Sequence, residues 1–234
     1  METRELPFVR DMFDSIAPRY DLLNRLLSLR QDVAWRRKMV ATLTIPENGR
    51  VLDVACGTGD VTVEICRQKG SEVQVVGIDF SPGMLRLAGE KIRQRNRPAI
   101  TLLAGDALAL PFGPASFHAV TIAFGIRNIQ DKGKALKAFH DSLKPGGMLL
   151  VLELATPTPG RLREAYLTYF QKVLPAIGHL FSKHHFAYSY LPESVARFPS
   201  ADRFMALMNK AGFTQVTCRR LTLGVANLFV GTRA

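Results

Sequence analysis

Cysteine is scarce in this 234-residue chain, acids are outnumbered, and long apolar runs are missing. Cys56, Cys66 and Cys218 are scattered and form no C-x-x-C pair, which excludes a disulfide framework and a zinc site, so no metal is expected. No apolar run reaches the roughly 18 residues that a membrane-spanning helix needs. The first ten residues are polar and mixed in charge, without the pattern of a secretory leader. A cytoplasmic, soluble protein able to touch one face of a membrane is the expectation. Asp and Glu total 20 against 31 Lys and Arg, a formal charge of +11. Yet no basic run is longer than Arg36-Arg37-Lys38, so nothing reads as a tail for nucleic acid, and no nucleic-acid partner is expected. The excess is uneven: residues 151–234 carry ten basic and four acidic residues, 51–150 twelve and nine, 1–50 nine and seven. Such a bias suits an anionic membrane surface, and it equally suits solubility alone.

The most informative stretch is Val51 to Asp60, V-L-D-V-A-C-G-T-G-D. Val51, Leu52, Val54 and Ala55 read as a buried strand, Gly57 and Gly59 as a tight turn, and Val61 onward as a helix. Without a Cβ, glycine takes positive φ and lets a ligand approach the backbone. No Gly-Lys-Ser/Thr follows, which excludes a P-loop. Thr62 stands where a dinucleotide fingerprint needs its third glycine, and no Tyr-x-x-x-Lys occurs, both of which argue against an NAD oxidoreductase. The remaining pocket is that of S-adenosylmethionine (SAM). Asp79 ends the second apolar run, about 20 residues past the glycines, where an acid suits a ribose diol. Many α/β domains carry a glycine turn or an acid at a strand end; the two together, in this order, favour a cofactor. Cys56, inside the turn, reads as a small buried residue rather than a nucleophile.

Apolar runs and turn residues predict strands at 50–55, 73–78, 100–104, 118–124 and 148–154, alternating with helices at 60–69, after Ser81-Pro82, and at 131–143. Lys144-Pro145-Gly146-Gly147 reads as a turn. Strands at 213–220 and 225–232, joined by Leu223-Gly224, complete seven. The fold class is α/β, a Rossmann-like doubly wound seven-stranded sheet, with N-terminal helices and a helical insertion after strand five. The whole chain, 1–234, reads as one domain: a helical cap at 1–48, a cofactor core at 49–155, an insertion at 156–200 and a closing helix and strand pair at 201–234. Pro18 predicts that the apolar stretch 8–29 is two helices. Trp35 is taken to open a basic helix, and Tyr188 to Leu191 to form a loop before a last helix at 200–211. Aromatics at helical spacing, among them Tyr166, Phe170 and Phe181, predict an amphipathic helix at 163–182 that with 8–29 forms an apolar groove opening onto a membrane.

The cofactor half resembles the class I SAM-dependent methyltransferase fold, with Ala55 where many members place the first glycine of the motif. Met12-Phe13-Asp14-Ser15-Ile16-Ala17, Arg19-Tyr20-Asp21-Leu22-Leu23-Asn24, Trp35-Arg36, Phe124-Gly125-Ile126-Arg127-Asn128, Tyr190-Leu191-Pro192-Glu193-Ser194 and Phe198-Pro199 resemble the signatures of the ubiquinone/menaquinone biosynthesis C-methyltransferases. The resemblance spans essentially the whole chain. It implies methyl transfer from SAM to a ring carbon of a polyprenylated quinol, demethylmenaquinol first, or a 2-polyprenyl-6-methoxy-benzoquinol. By position, Thr58, Asp79, Asp106 and Ala107 match the family's SAM contacts, beside Gly57 and Gly59 of the turn; Ala123 falls where some members place a SAM-contacting serine.

A ring carbon becomes a good nucleophile when a neighbouring phenol loses its proton. Arg127 is the candidate to stabilise that phenolate or to organise a water, with a structural bond between loop carbonyls as the competing reading. Asn128 either orients the same phenol or caps the next helix, the cap being favoured. Tyr20 and Trp35 are expected to line the quinol pocket. Rival readings are a methyltransferase for a sterol or phospholipid amine, and a non-catalytic SAM- or lipid-binding module. The sequence is compatible with a homo-oligomer and does not choose the tail length.

Overall fold

A computed structural model of the protein describes residues 5–96, 99–157, 160, 163–164, 168 and 186–234. The predicted helix at 163–182, with Tyr166, Phe170 and Phe181, and the pair His184-His185 lie outside the described residues. Along the chain come α1 (Glu5–Leu27), α2 (Gln31–Thr42), β1 (Arg50–Val54), α3 (Asp60–Lys69), β2 (Gln74–Asp79), α4 (Pro82–Gln94), β3 (Ile100–Ala104), β4 (Phe117–Ala123), α5 (Lys132–Ser142), β5 (Leu143–Leu154), α6 (Phe186–Arg197), α7 (Ala201–Lys210), β6 (Phe213–Leu221) and β7 (Ala226–Arg233). The seven strands order as β3-β2-β1-β4-β5-β7-β6. β1 to β5 pair in parallel, and β7 enters antiparallel between β5 and β6.

Period-two alternation divides the sheet into two cores. Leu52, Val54, Ile78, Val120 and Ile122 face Leu136 and Phe139 of α5 and Phe204 and Met208 of α7. Val51, Val75, Ala119 and Leu150 face Trp35, Met39 and Val40 of α2 and Ile65 of α3. Central strands covered on both sides are largely apolar, which makes them legible as runs in the sequence. The chain leaves β1 toward β2 on one side while β4 pairs on the other. The crevice above β1 and β4 is therefore the switch point where doubly wound sheets place ligands.

Four expectations need correction. Residues 8–29 are not two helices: α1 runs unbroken through Pro18. Proline removes one intrahelical hydrogen bond, but both halves of α1 are fastened to α4 and to the turns that leave β1 and β2. Asp14 accepts from the Ser81 hydroxyl (2.5 Å) and the Gly83 amide (2.9 Å), and Asp21 accepts from the Thr58 hydroxyl (2.6 Å) and Lys91 Nζ (2.7 Å). Residues 188–191 are not a loop but part of α6, which carries Pro192 within it. Lys144 to Gly147 is not a free turn: β5 begins at Leu143 and the segment bulges between the pairs Phe117–Leu143 and Ala119–Met148. α2 also starts four residues before Trp35, so Asp32 lies in its first turn. Ser81 caps α4, its Oγ accepting from the Met84 amide at 3.1 Å.

Candidate active site

The crevice holds a cavity of about 360 Å³, within the range for small-molecule sites. Its floor comes from strand ends: Ala55 and Gly57 after β1, Asp79 of β2, Asp106 and Ala107 after β3, and Ala123 of β4. Phe13 and Tyr20 of α1 form the roof, and Ile78, Met84 and Leu108 an apolar bed. Asp79 is buried, and burial raises its pKa. The Gly57 amide donates to its Oδ2 at 2.8 Å and the Ser81 amide to its Oδ1 at 2.9 Å. The Phe80 amide also donates to it, and since a carboxylate has about four lone-pair directions, an acceptor direction remains for a ligand. Gly57 has φ +55°, and a Cβ built there would meet nothing within 4 Å, because it would project into open space.

A smaller cavity of about 30 Å³ lies beneath, bordered by Asp53, Arg36, Gly57, Thr58 and Ala123. Asp53 escaped selection from the sequence although it is the acid of the D-V-A-C-G stretch. Its carboxylate accepts from the hydroxyls of Thr62 (2.6 Å) and Thr121 (2.8 Å), and burial lifts its pKa to about 6. Beside it the Asp21, Asp32 and Asp60 carboxylates meet Arg25, Arg36 and Lys91, three acids and three bases, in one network joining α1, α2, α3 and α4. Burial acts to raise the Asp60 pKa, but Lys91 and Arg36 outweigh it and hold that carboxyl below its usual range.

A third cavity, about 90 Å³, opens on the other side of Tyr20 and Phe124. Asn24, Trp35, Arg36, Arg127, Leu154 and Leu191 border it. Tyr20 borders all three cavities. Burial raises the pKa of its phenol, while the nearby Arg127 and Arg36 pull it down. Phe124 takes φ +59° at the wall between the two larger cavities, with the Arg36 guanidinium 5.2 Å from its ring centre.

Not all the predicted residues gather at one place. Gly57, Asp79, Asp106, Ala107, Ala123 and Asn128 border the large cavity. Thr58 faces the small one, its hydroxyl spent on Asp21. Gly59 caps α3 at φ +78° and packs against Ala88, 3.2 Å from a built Cβ. Arg127 points away from the large cavity into the third. Its Nη1 donates to Glu153 Oε1 at 2.8 Å and to the Phe124 carbonyl, its amide donates to Glu153 Oε2 at 3.1 Å, and Nε donates to the Ser194 hydroxyl at 3.3 Å. Glu153 is fully buried and lies 26 residues further along the chain, so no local pattern announced it. Asn128 does not cap α5. Asp131 does so, accepting from the Lys134 amide at 2.8 Å, while Asn128 Oδ1 accepts from the Tyr190 hydroxyl at 3.0 Å. Tyr20 and Trp35 both border the third cavity. Cys56 is buried, and burial raises its thiol pKa well above the ordinary value, which keeps it protonated.

Sheet order, switch-point crevice and strand-end acids define the class I SAM-dependent methyltransferase fold. Solved structures of that fold align with it: a SAM-dependent methyltransferase of Thermotoga maritima, described as a possible histamine N-methyltransferase, at TM-score 0.65 and 23% identity over 96% of this chain and 99% of that one. The [4+2]-cyclase SpnF aligns at TM-score 0.71 and 16% identity over 96% and 94%, so the architecture alone does not fix a reaction. Sequence comparison goes further: the model of the ubiE/COQ5 methyltransferase family matches residues 1–233, and the chain belongs to that family. It is 49% identical to the ubiquinone/menaquinone biosynthesis C-methyltransferase UbiE of Geobacter sp. (strain M21), over 96% of each chain. It is 47% identical to the demethylmenaquinone methyltransferase of Thermus thermophilus, over 95% of this chain and 100% of that one.

Proposed function

We infer that the protein is a SAM-dependent C-methyltransferase acting on the ring of a polyprenylated quinol, demethylmenaquinol in the first place. The observation that carries this reading is the pair of larger cavities meeting at Tyr20 and Phe124, one built for a nucleoside and the other lined by two buried guanidinium groups. When bound, SAM supplies an electrophilic methyl group. Asp79 offers acceptors to a ribose diol, Asp106 and Ala107 edge the apolar bed for a base, and Gly57 leaves room for close approach. Asp53 and Arg36 border the small cavity with opposite charges, which suits the zwitterionic end of an amino acid.

On the acceptor side, Arg36, paired with Asp32 and Asp60, and Arg127, paired with Glu153, place guanidinium groups beside the space for a phenol ring. Arg127 stays protonated and is no base. Its clamp to Glu153 fixes the guanidinium before the ring arrives, so orientation is paid in advance. Asn128, its Oδ1 held by the Tyr190 hydroxyl, borders the donor cavity and not the acceptor cavity. Tyr20 and Trp35 shape the space in which the ring lies flat toward the donor. We assign residues 156–200, of which α6 supplies Leu191 and Ser194, to the acceptor side. A long isoprenoid tail places the acceptor in a bilayer, so we also infer peripheral work at the inner face of a membrane. Among the described residues no helix is long and apolar enough to cross one.

The test is turnover with labelled SAM and each quinol in turn, the products weighed. A gain of one methyl on demethylmenaquinol, faster than on the benzoquinol, is expected. No transfer to either quinol by a folded protein that binds SAM would refute the reading.

A further inference from the structure

Two leucines of this chain stand where leucine has little reason to be. Leu29 has φ +50° and Leu223 φ +57°, the left-handed region that side chains with a Cβ rarely occupy. Neither position is compensated by burial: Leu29 is 81% exposed and Leu223 76%. Leu22 and Leu26, four residues apart on one face of α1, are 64% and 46% exposed. These four are the exposed large hydrophobic side chains among the described residues.

Leu29 and Leu223 meet at one corner of the molecule, and Leu22 and Leu26 lie on the last turns of the helix that leads into it. The Thr222 hydroxyl accepts from Trp35 Nε1 at 2.8 Å and donates to Gln31 Oε1 at 3.1 Å. This pair of bonds seats the turn carrying Leu223 against the α1–α2 corner carrying Leu29. Leu27 and Ser28 on one side, and Val225 on the other, border the third cavity, so the corner lies at its rim. Its exposed charge is basic. Arg25 is paired with Asp21 and Asp60, and Asp32, which borders the same cavity, is buried and paired with Arg36. Arg30 and Arg220 are exposed within three residues of the two strained leucines.

We propose that Leu22, Leu26, Leu29 and Leu223 form a docking corner that sinks into the headgroup layer of an anionic bilayer, with Arg30 and Arg220 on its phosphates, and so sets the rim of the third cavity at the lipid. Apolar tips flanked by exposed arginines, with the neighbouring acids Asp21 and Asp32 already paired, are complementary to acidic lipid. Water gives those tips nothing in return for their strain; an acyl boundary does. The proposal rests on the quinol reading only in the use it gives the cavity rim.

The test is co-sedimentation with phosphatidylcholine vesicles, with and without added phosphatidylglycerol, for the wild type and the double variant Leu29→Asn/Leu223→Asn. Asparagine tolerates the left-handed backbone, so the variant is expected to keep or raise its melting temperature. Wild type should bind the anionic vesicles, more weakly at high salt, and the variant should lose about tenfold or more of that binding. Methylation of a short-tailed quinol free in solution should not change, whereas methylation of a long-tailed quinol in vesicles should fall. Equal vesicle binding by the two proteins would overturn the proposal. So would a wild type that ignores the vesicles and instead forms a dimer that the variant cannot form. Failure of the wild type on the short-tailed quinol would strike the assigned activity and leave the vesicle result standing.

Discussion

Asp53 is ionised at neutral pH only against the opposition of its own surroundings. Its folded pKa of about 6 exceeds the ordinary carboxyl value of about 3.9, so between those values the folded chain holds a proton that the unfolded chain has released. Stability from this group is therefore full below about pH 4 and declines as pH rises through about 6. Asp53→Asn keeps partners for both threonine hydroxyls, which can reverse their direction. The difference in melting temperature between wild type and Asp53→Asn is expected to change across that window and to be flat above it, as thermal scans at a series of pH values would read. Cofactor binding adds a second signature: an ammonium beside Asp53 favours its ionised form, so calorimetry in buffers of different ionisation enthalpy should register proton release near pH 6. At Ala55 the residue scale also explains a family preference. Its φ is +50°, which glycine takes without strain, and a Cβ built on Gly125 would come within 2.6 Å of the Ala55 Cβ. Gly125→Ala is expected to cost about 1–3 kcal/mol in urea unfolding, and Ala55→Gly in the same chain to restore most of it.

Among the elements, legibility followed locality. β1, β3, α3 and the terminal strand pair lie within a residue or two of their predicted places because long apolar runs and glycine punctuation are local signals. α1 was misjudged at Pro18 because Asp14 and Asp21 find their partners 67 and 37 residues further along the chain. α6 was misjudged because Pro192 reads as a breaker. The strand-end acids could be read from spacing, but the clamp of Arg127 by Glu153 could not. That clamp changes how a substitution must be read. Removing one partner of a buried pair costs about 3–5 kcal/mol by stranding the other. Arg127→Met alone should therefore lose both stability and turnover. Arg127→Met/Glu153→Gln should recover much of the stability while turnover stays low, provided the guanidinium serves the acceptor. Recovery of both would restrict Arg127 to the fold. Lys91→Met removes the cation that Asp21 and Asp60 share but leaves them Arg25 and Arg36, and with both carboxylates partly exposed to solvent it is expected to cost about 1 kcal/mol in urea unfolding.

For the molecule as a whole, a ligand that binds only the folded chain stabilises it by mass action, about 2.7 kcal/mol at a hundredfold excess over the dissociation constant. SAM should raise the melting temperature of the wild type; Asp79→Asn should lower the ligand-free value, since its single oxygen can serve only one of the Gly57 and Ser81 amides, and should also reduce the rise that SAM gives. An equal rise in both would remove Asp79 from the cofactor's grip. The helix that bridges Pro18 has a last consequence, for the sequence of events in a catalytic cycle. Phe13 roofs the donor cavity, Tyr20 borders donor and acceptor cavities alike, and Asp14 and Asp21 pin both residues' helix to the turn and strand ends below. A ring lying against Tyr20 would close the donor's way out. The donor should then be the first to arrive and its spent form the last to leave, so that preloaded radiolabelled donor, chased with cold donor and saturating quinol, is trapped in product rather than exchanged away.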